Sequence, residues 1–91
     1  MNVHVEHHPE HSRFQAIVEG QLCVAEYQLH GREMRMTHTV VSAPVGGRGI
    51  AAELVRTALA YAESQGLRVK PVCTYVQAYM RRHPETLALQ A

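Results

Sequence analysis

Ninety-one residues leave room for one domain, with a modest core that can fold without disulfide or metal staples. A hydrophobic fraction of 46%, a charged fraction of 19% and a net charge of +1 with histidines neutral are ordinary for a soluble globular protein, and they argue against nucleic acid or an anionic membrane as partner. No run approaches the ~18 consecutive apolar residues of a membrane span, and the polar start MNVHVEHHPEH is no signal peptide, so a cytoplasmic location is the expectation.

Residues 1–12 read as a histidine-rich arm ahead of a single domain over 13–91. His4, His7, His8 and His11 could in principle take zinc, copper or nickel, but a terminal segment holds no fixed ligand geometry and no second cluster completes a site. The expectation is a solvated arm and no bound metal. Cys23 and Cys73 lie far apart and resemble neither a disulfide framework nor a paired metal motif, so both are read as free thiols.

Over 13–18, Phe14, Ala16 and Val18 alternate with Arg13, Gln15 and Ile17, the period of a strand. Glu19-Gly20 is a turn signal. The stretch 22–29 alternates again, with Cys23, Ala25, Tyr27 and Leu29 on one face, and His30-Gly31 breaks it. Residues 33–41 form a third alternating run that sets Met34, Met36, His38 and Val40 on one side. Three strands joined by tight turns predict an antiparallel meander. From Ile50 the spacing becomes helical, with Leu54, Ala58 and Tyr61 in line and Ala51, Val55, Leu59 and Ala62 beside them. Gly66 stands where a helix C-cap glycine belongs. Residues 67–75 read as a strand interrupted by Pro71, and 76–83 as a short helix stopped by Pro84, with the remaining tail a final turn or a frayed end. The order β-β-β-α-β-α predicts an α+β fold whose last strand lies parallel to the third after a helical crossover. Ligands of such sheets collect at the strand carboxyl ends, which gathers Val41, the glycine loop and Cys73 around one point.

The stretch SAPVGGRGIAAELV, residues 42–55, places three glycines and an arginine at the mouth of the first helix. Glycine there either eases a sharp turn or bares backbone N–H groups at the positive end of a helix dipole, where phosphate oxygens are favoured.

These residues resemble motif A of the GNAT-type N-acetyltransferases, R/Q-x-x-G-x-G/A, with matches at Gly49 and Ala51. The pair His38-Thr39, the loop Gly47-Arg48-Gly49-Ile50-Ala51, Pro71-x-Cys73 and Tyr79-x-x-x-His83-Pro84 together resemble the minimal single-domain branch of that family over about residues 13 to 87. Gly46 departs from the motif's Arg or Gln, Val40 and Ser42 replace the branch's usual Glu and Pro, and Thr86 replaces its Tyr. The resemblance implies acetyl-CoA as cosubstrate and an amine as acceptor. It implies pyrophosphate on the backbone amides of Gly46, Gly47, Arg48, Gly49, Ile50 and Ala51, and pantetheine along the backbone near Thr39 and Val41. The Arg48 side chain would add a charge-assisted contact or face water.

For catalysis the resemblance points to Tyr79, which would protonate the leaving sulfur, and to Cys73, which would carry the acetyl group. The N-terminus of the crossover helix would lie beside Cys73 and favour its thiolate. Each has an alternative reading as packing: Tyr79 as a core residue with a bonded hydroxyl, Cys73 as a small buried hydrophobe. His38 is read as a strand residue ahead of a general base, Cys23 as core, and Arg81, Arg82 and His83 as a solvated helix end ahead of a contact with the 3′-phosphate or adenine of CoA. The function expected is acetyl-CoA-dependent N-acetyl transfer. The alternatives are a non-catalytic acyl-CoA-binding module of the same fold and a metal-binding accessory protein that uses the histidine arm.

Overall fold

The structure is a computed structural model that describes residues 3–91. Its strands are β1 (Glu6–His8), β2 (Arg13–Val18), β3 (Gln21–His30), β4 (Glu33–Val40) and β5 (Arg68–Pro71), with helices α1 (Ile50–Ser64) and α2 (Thr74–Arg82). They form one five-stranded sheet in the order β1-β2-β3-β4-β5, antiparallel from β1 to β4 and parallel between β4 and β5. This is the expected mixed α+β architecture with one strand added at its N-terminal edge. Among the described residues no helix is long and apolar enough to cross a membrane.

The core lies between the sheet and α1. Ile50, Leu54, Val55, Ala58, Leu59 and Ala62 bury one stripe of α1 against Phe14, Ala16, Cys23, Ala25, Tyr27, Met34 and Met36. Gly66, at φ +67°, ends α1 as expected: its N–H bonds the Glu63 carbonyl and the Leu67 N–H bonds that of Ala62, a Schellman closure.

Three expectations need correction. Residues 6–8 of the supposed arm pair with β2 as an edge strand, because Val3, Val5 and His7 turn toward the core. The His7 ring stacks on Phe14 at 4.2 Å and 7° and meets Tyr61 edge-on at 4.4 Å, while Nε2 lies 2.6 Å from the Tyr27 hydroxyl. On the opposite side His4 and His8 flank the Glu6 carboxylate. Second, β4 carries a bulge. Tyr27 faces Met36 but Glu26 faces His38, so Thr37 is an extra residue and its hydroxyl donates to the Glu26 carbonyl at 3.3 Å. Side-chain parity reverses beyond it. His38 and Val40, placed with Met34 and Met36 by alternation, instead lie on the open face, and Thr39 turns inward opposite buried Ala25. Third, β5 stops at Pro71, which has no N–H to continue a ladder, and α2 begins at Thr74. The tail is ordered as a 3-10 turn, Pro84–Leu89, and Gln90 bridges to Val69.

Burial lowers the His7 pKa, partly opposed by Glu10 and reinforced by His8, and burial also raises the Tyr27 pKa, with Tyr61 and Glu10 adding to it. Tyr27 therefore keeps its proton and suits a neutral imidazole acceptor. Because the folded state disfavours His7 protonation while the unfolded chain does not, stability falls as pH drops through the ordinary histidine range near 6.5. The His7→Phe variant, which keeps the stack but cannot titrate, should lose part of this slope in thermal melts from pH 8 to 5. His7→Ala should lose about 2 kcal/mol, or roughly 10 °C in Tm, from the stack and the hydrogen bond. An unchanged Tm for His7→Ala would restore the picture of a solvated arm.

Candidate functional site

The β4–β5 ladder pairs Glu33–Met36 with Arg68–Pro71 and ends there. Val72 and Cys73 both donate their backbone N–H to the Met36 carbonyl, at 3.1 and 2.9 Å, so the two chains part at one acceptor. Beyond it β4 continues through Thr39 while the other chain turns into α2. A fork results, with the backbone of residues 37–40 along one side and the start of α2 along the other.

Cys73 is the N-cap of α2, and its Sγ lies 3.7 Å from Thr39 Oγ1 across the fork. Burial pushes its thiol up. The Val76 backbone, the Thr39 hydroxyl and the Tyr75 and Thr39 backbones favour the thiolate and outweigh burial, so the pKa falls below the ordinary thiol value. The helix end beside the thiol is therefore that of α2 rather than of the crossover helix α1. Cys23, fully buried, belongs to the core.

Between β4 and α1, residues 42–49 make a loop pinned at both ends and bare in the middle. Val45 and Ile50 are each 1% exposed, whereas Gly46, Gly47, Arg48 and Gly49 face solvent. Gly47 and Gly49 adopt φ of +77° and +78°, which side chains disfavour, and Gly49 is the N-cap of α1 without any side-chain cap. A Cβ at Gly47 or Gly49 would meet nothing within 4 Å, so these glycines serve the turn and leave open space before the helix N–H groups. Ile50 sends its side chain into the core, leaving only its backbone for a ligand. Arg48 does not simply face water: its guanidinium pairs with Glu19 of the β2–β3 turn and holds that carboxyl below its usual range.

Tyr79 is 8% exposed and stacks on His83 at 4.0 Å and 18°. Burial raises its pKa, so the hydroxyl holds its proton. It stands six positions after Cys73, about 9 Å along the helix axis. It borders a separate hollow of about 180 Å³ between α1 and the C-terminal turn, lined also by Arg56, Leu59 and Glu85. The fold thus brings Cys73 to Thr39 and leaves Tyr79 on another wall of α2. His38 faces Glu26 at 3.7 Å on the open side of the sheet, its side chain 69% exposed. Sequence reasoning missed the Thr37 insertion and the Glu19–Arg48 tether. Neither leaves a periodic signal, and both depend on strand pairing.

Comparison with known proteins bears on the family and the fold. The profile of the family described as GCN5-related N-acetyl-transferase matches residues 13–89. The chain is 29% identical over 85 residues to Protein NATD1 of Mus musculus, covering 90% of this chain and 77% of that protein, and 28% identical over 86 residues to Protein NATD1 of Xenopus tropicalis, covering 91% and 79%. The NMR solution structure of a GCN5-like candidate N-acetyltransferase from Staphylococcus aureus superposes with a TM-score of 0.78 at 17% identity, over 99% of this chain and 89% of that one. From β2 to the C-terminal turn, the chain belongs to the GCN5-related N-acetyltransferase family.

Proposed function

We propose that this protein is an acetyl-CoA-dependent N-acetyltransferase acting on an amine. The observation that carries the reading is the meeting of Cys73 Sγ and Thr39 Oγ1 in the β4–β5 fork, beside a glycine loop that opens onto the N-terminus of α1. The residues fit the cosubstrate. Open space before Gly47 and Gly49 and uncapped helix N–H groups suit a pyrophosphate on the amides of Gly46, Gly47, Arg48, Gly49, Ile50 and Ala51. The backbone of Thr39 and Val41, past the end of the ladder, suits the amides of a pantetheine arm by strand addition. Bound there, acetyl-CoA supplies an acetyl group activated as a thioester.

The chain's own residues divide the remaining work. Cys73 holds a thiol biased toward thiolate where the reactive end would lie, which supports it as the residue that carries the acetyl group. Tyr79 keeps its proton and is suited to donate one, although its hollow is not the fork. Its position favours a second reading, a non-catalytic acyl-CoA-binding module with the same loop and fork.

Calorimetry with CoA tests the loop. Gly49→Val should weaken binding at least tenfold while the protein stays folded, at a stability cost of about 1–2 kcal/mol for a side chain at positive φ. Gly31→Val, at a similar φ but remote from the loop, should cost similar stability and leave CoA affinity unchanged. Equal affinity for both variants would remove the phosphate from the loop.

Intact-mass measurement tests the chemistry. Acetyl-CoA alone should add one acetyl mass at Cys73, none in Cys73→Ala and none at Cys23. The rate should rise with pH and level off below the ordinary thiol range near 8.5, because only the thiolate reacts. In an amine screen, retained turnover in Cys73→Ala with loss in Tyr79→Phe would instead assign direct transfer with Tyr79 as proton donor. No turnover with any amine, together with intact CoA binding, would favour the binding module.

A further inference from the structure

A second hollow lies at the free edge of β5. Strand β5 ends at Pro71, α2 runs back beside it, and the chain leaves α2 at Pro84 and returns so that Gln90 bridges to Val69 and the Ala91 N–H bonds the Val69 carbonyl at 2.8 Å. These three arms border a half-open hollow of about 310 Å³, at the lower end of the range that small-molecule pockets occupy. Its floor is apolar: Met80 is buried, and Pro71 and Leu87 complete it. Its polar rim is cationic. Lys70 comes from β5 and Arg81 from α2, and both exposed residues border the one hollow.

No carboxylate lines the cavity, and among the described residues neither cation makes an ion pair, although Arg35, Arg48 and Arg56 all have carboxylate partners. Gln77 closes the inner wall. Its amide N–H₂ donates to the carbonyls of Pro71 and Val72 at 3.1 and 3.3 Å, which fixes the side chain and ties the wall to the segment that leads into Cys73. A small hollow of mixed polar and apolar lining, with two unpaired cations and a fixed amide, has the composition of a ligand site in which polar groups orient a partly apolar body.

We propose that this cavity binds a small organic anion, an oxyanion headgroup held by Lys70 and Arg81 on a short aliphatic body that rests on Met80, Pro71 and Leu87. The site is separate from the fork and the glycine loop, and it does not depend on the acetyl-transfer reading. Its occupant links β5, α2 and the C-terminal turn, the elements that carry Cys73 and Tyr79.

The headgroup chemistry is shared by carboxylates and phosphate monoesters, and the test separates them. The ¹⁵N-labelled full chain is titrated with pentanoate, with butyl phosphate and with pentanol. Saturable amide shifts centred on Lys70, Gln77, Arg81 and Leu87 are expected with one or both anions and not with pentanol, and the tighter anion identifies the headgroup. Lys70→Gln and Arg81→Gln, both at exposed positions, should each weaken that binding about tenfold without changing the melting temperature of the free protein. Saturating CoA should leave the titration unaltered. Three results would each overturn the proposal: no saturation with either anion, equal response to pentanol, or binding indifferent to both substitutions. Competition by CoA would also do so, because it would assign the two cations to the phosphates of the cosubstrate.

Discussion

Thr37 stands in β4 opposite the step between Glu26 and Tyr27, and its hydroxyl donates to the Glu26 carbonyl. The geometry of the fork depends on this one inserted residue. In an unbroken strand, side-chain parity would continue from Met34 and Met36 to His38 and Val40, and Thr39 would face the open side of the sheet. With the insertion Thr39 faces inward and reaches Cys73, while His38 goes outward to Glu26. A bulge also bends its strand. Here the β4–β5 ladder ends at Met36, the residue just before the insertion, and that carbonyl takes both N–H groups of the diverging chain.

The two helix N-termini near the fork are used differently. That of α1 is preceded by exposed glycines, held in place because Val45 and Ile50 are buried on either side. Rigid flanks with a bare middle let a backbone present its N–H groups without side chains in the way. Arg48, the one charge in the loop, is held at the β2–β3 turn by Glu19, so the loop is tethered at its tip as well as at its ends. The N-terminus of α2 faces the chain's own Cys73, which stands at the N-cap position without a side-chain cap bond, and the Tyr75 and Val76 backbone of that helix start lowers the thiol pKa together with Thr39 of β4.

Only one face of the sheet is packed by α1, and the edges carry much of the remaining order. At one edge His7 inserts an aromatic ring among Phe14, Tyr27 and Tyr61, filling the gap between β1 and α1. At the other edge Gln90 and Ala91 engage the backbone of Val69, covering part of a strand edge that would otherwise present unpaired groups. The open face is mostly polar, with an apolar corner where Ile17 sits opposite Leu22 and Val24 opposite Val40.

Taken alone, the sequence determines what repeats along the chain. Alternation defines β2, β3 and the first half of β4, the 3.6-residue spacing defines α1 and its buried stripe, and Gly66 marks the end of that helix, because each follows from side chains that must face one core. The glycine loop and its family resemblance are legible for the same local reason, since the turn needs φ values that only glycine takes easily. What only the tertiary structure decides is set by partners distant in the chain. The bulge at Thr37 exists relative to β3, so the parity of Thr39 and His38 cannot be read from β4. The strand at Glu6–His8 depends on a histidine stacking on Phe14, an imidazole that composition counts as polar. Cys73 becomes a helix cap because Pro71 ends the ladder two residues earlier, and Arg48 meets Glu19 only when the sheet brings two turns together. Periodicity reports which way a residue faces; contact between elements decides what it faces.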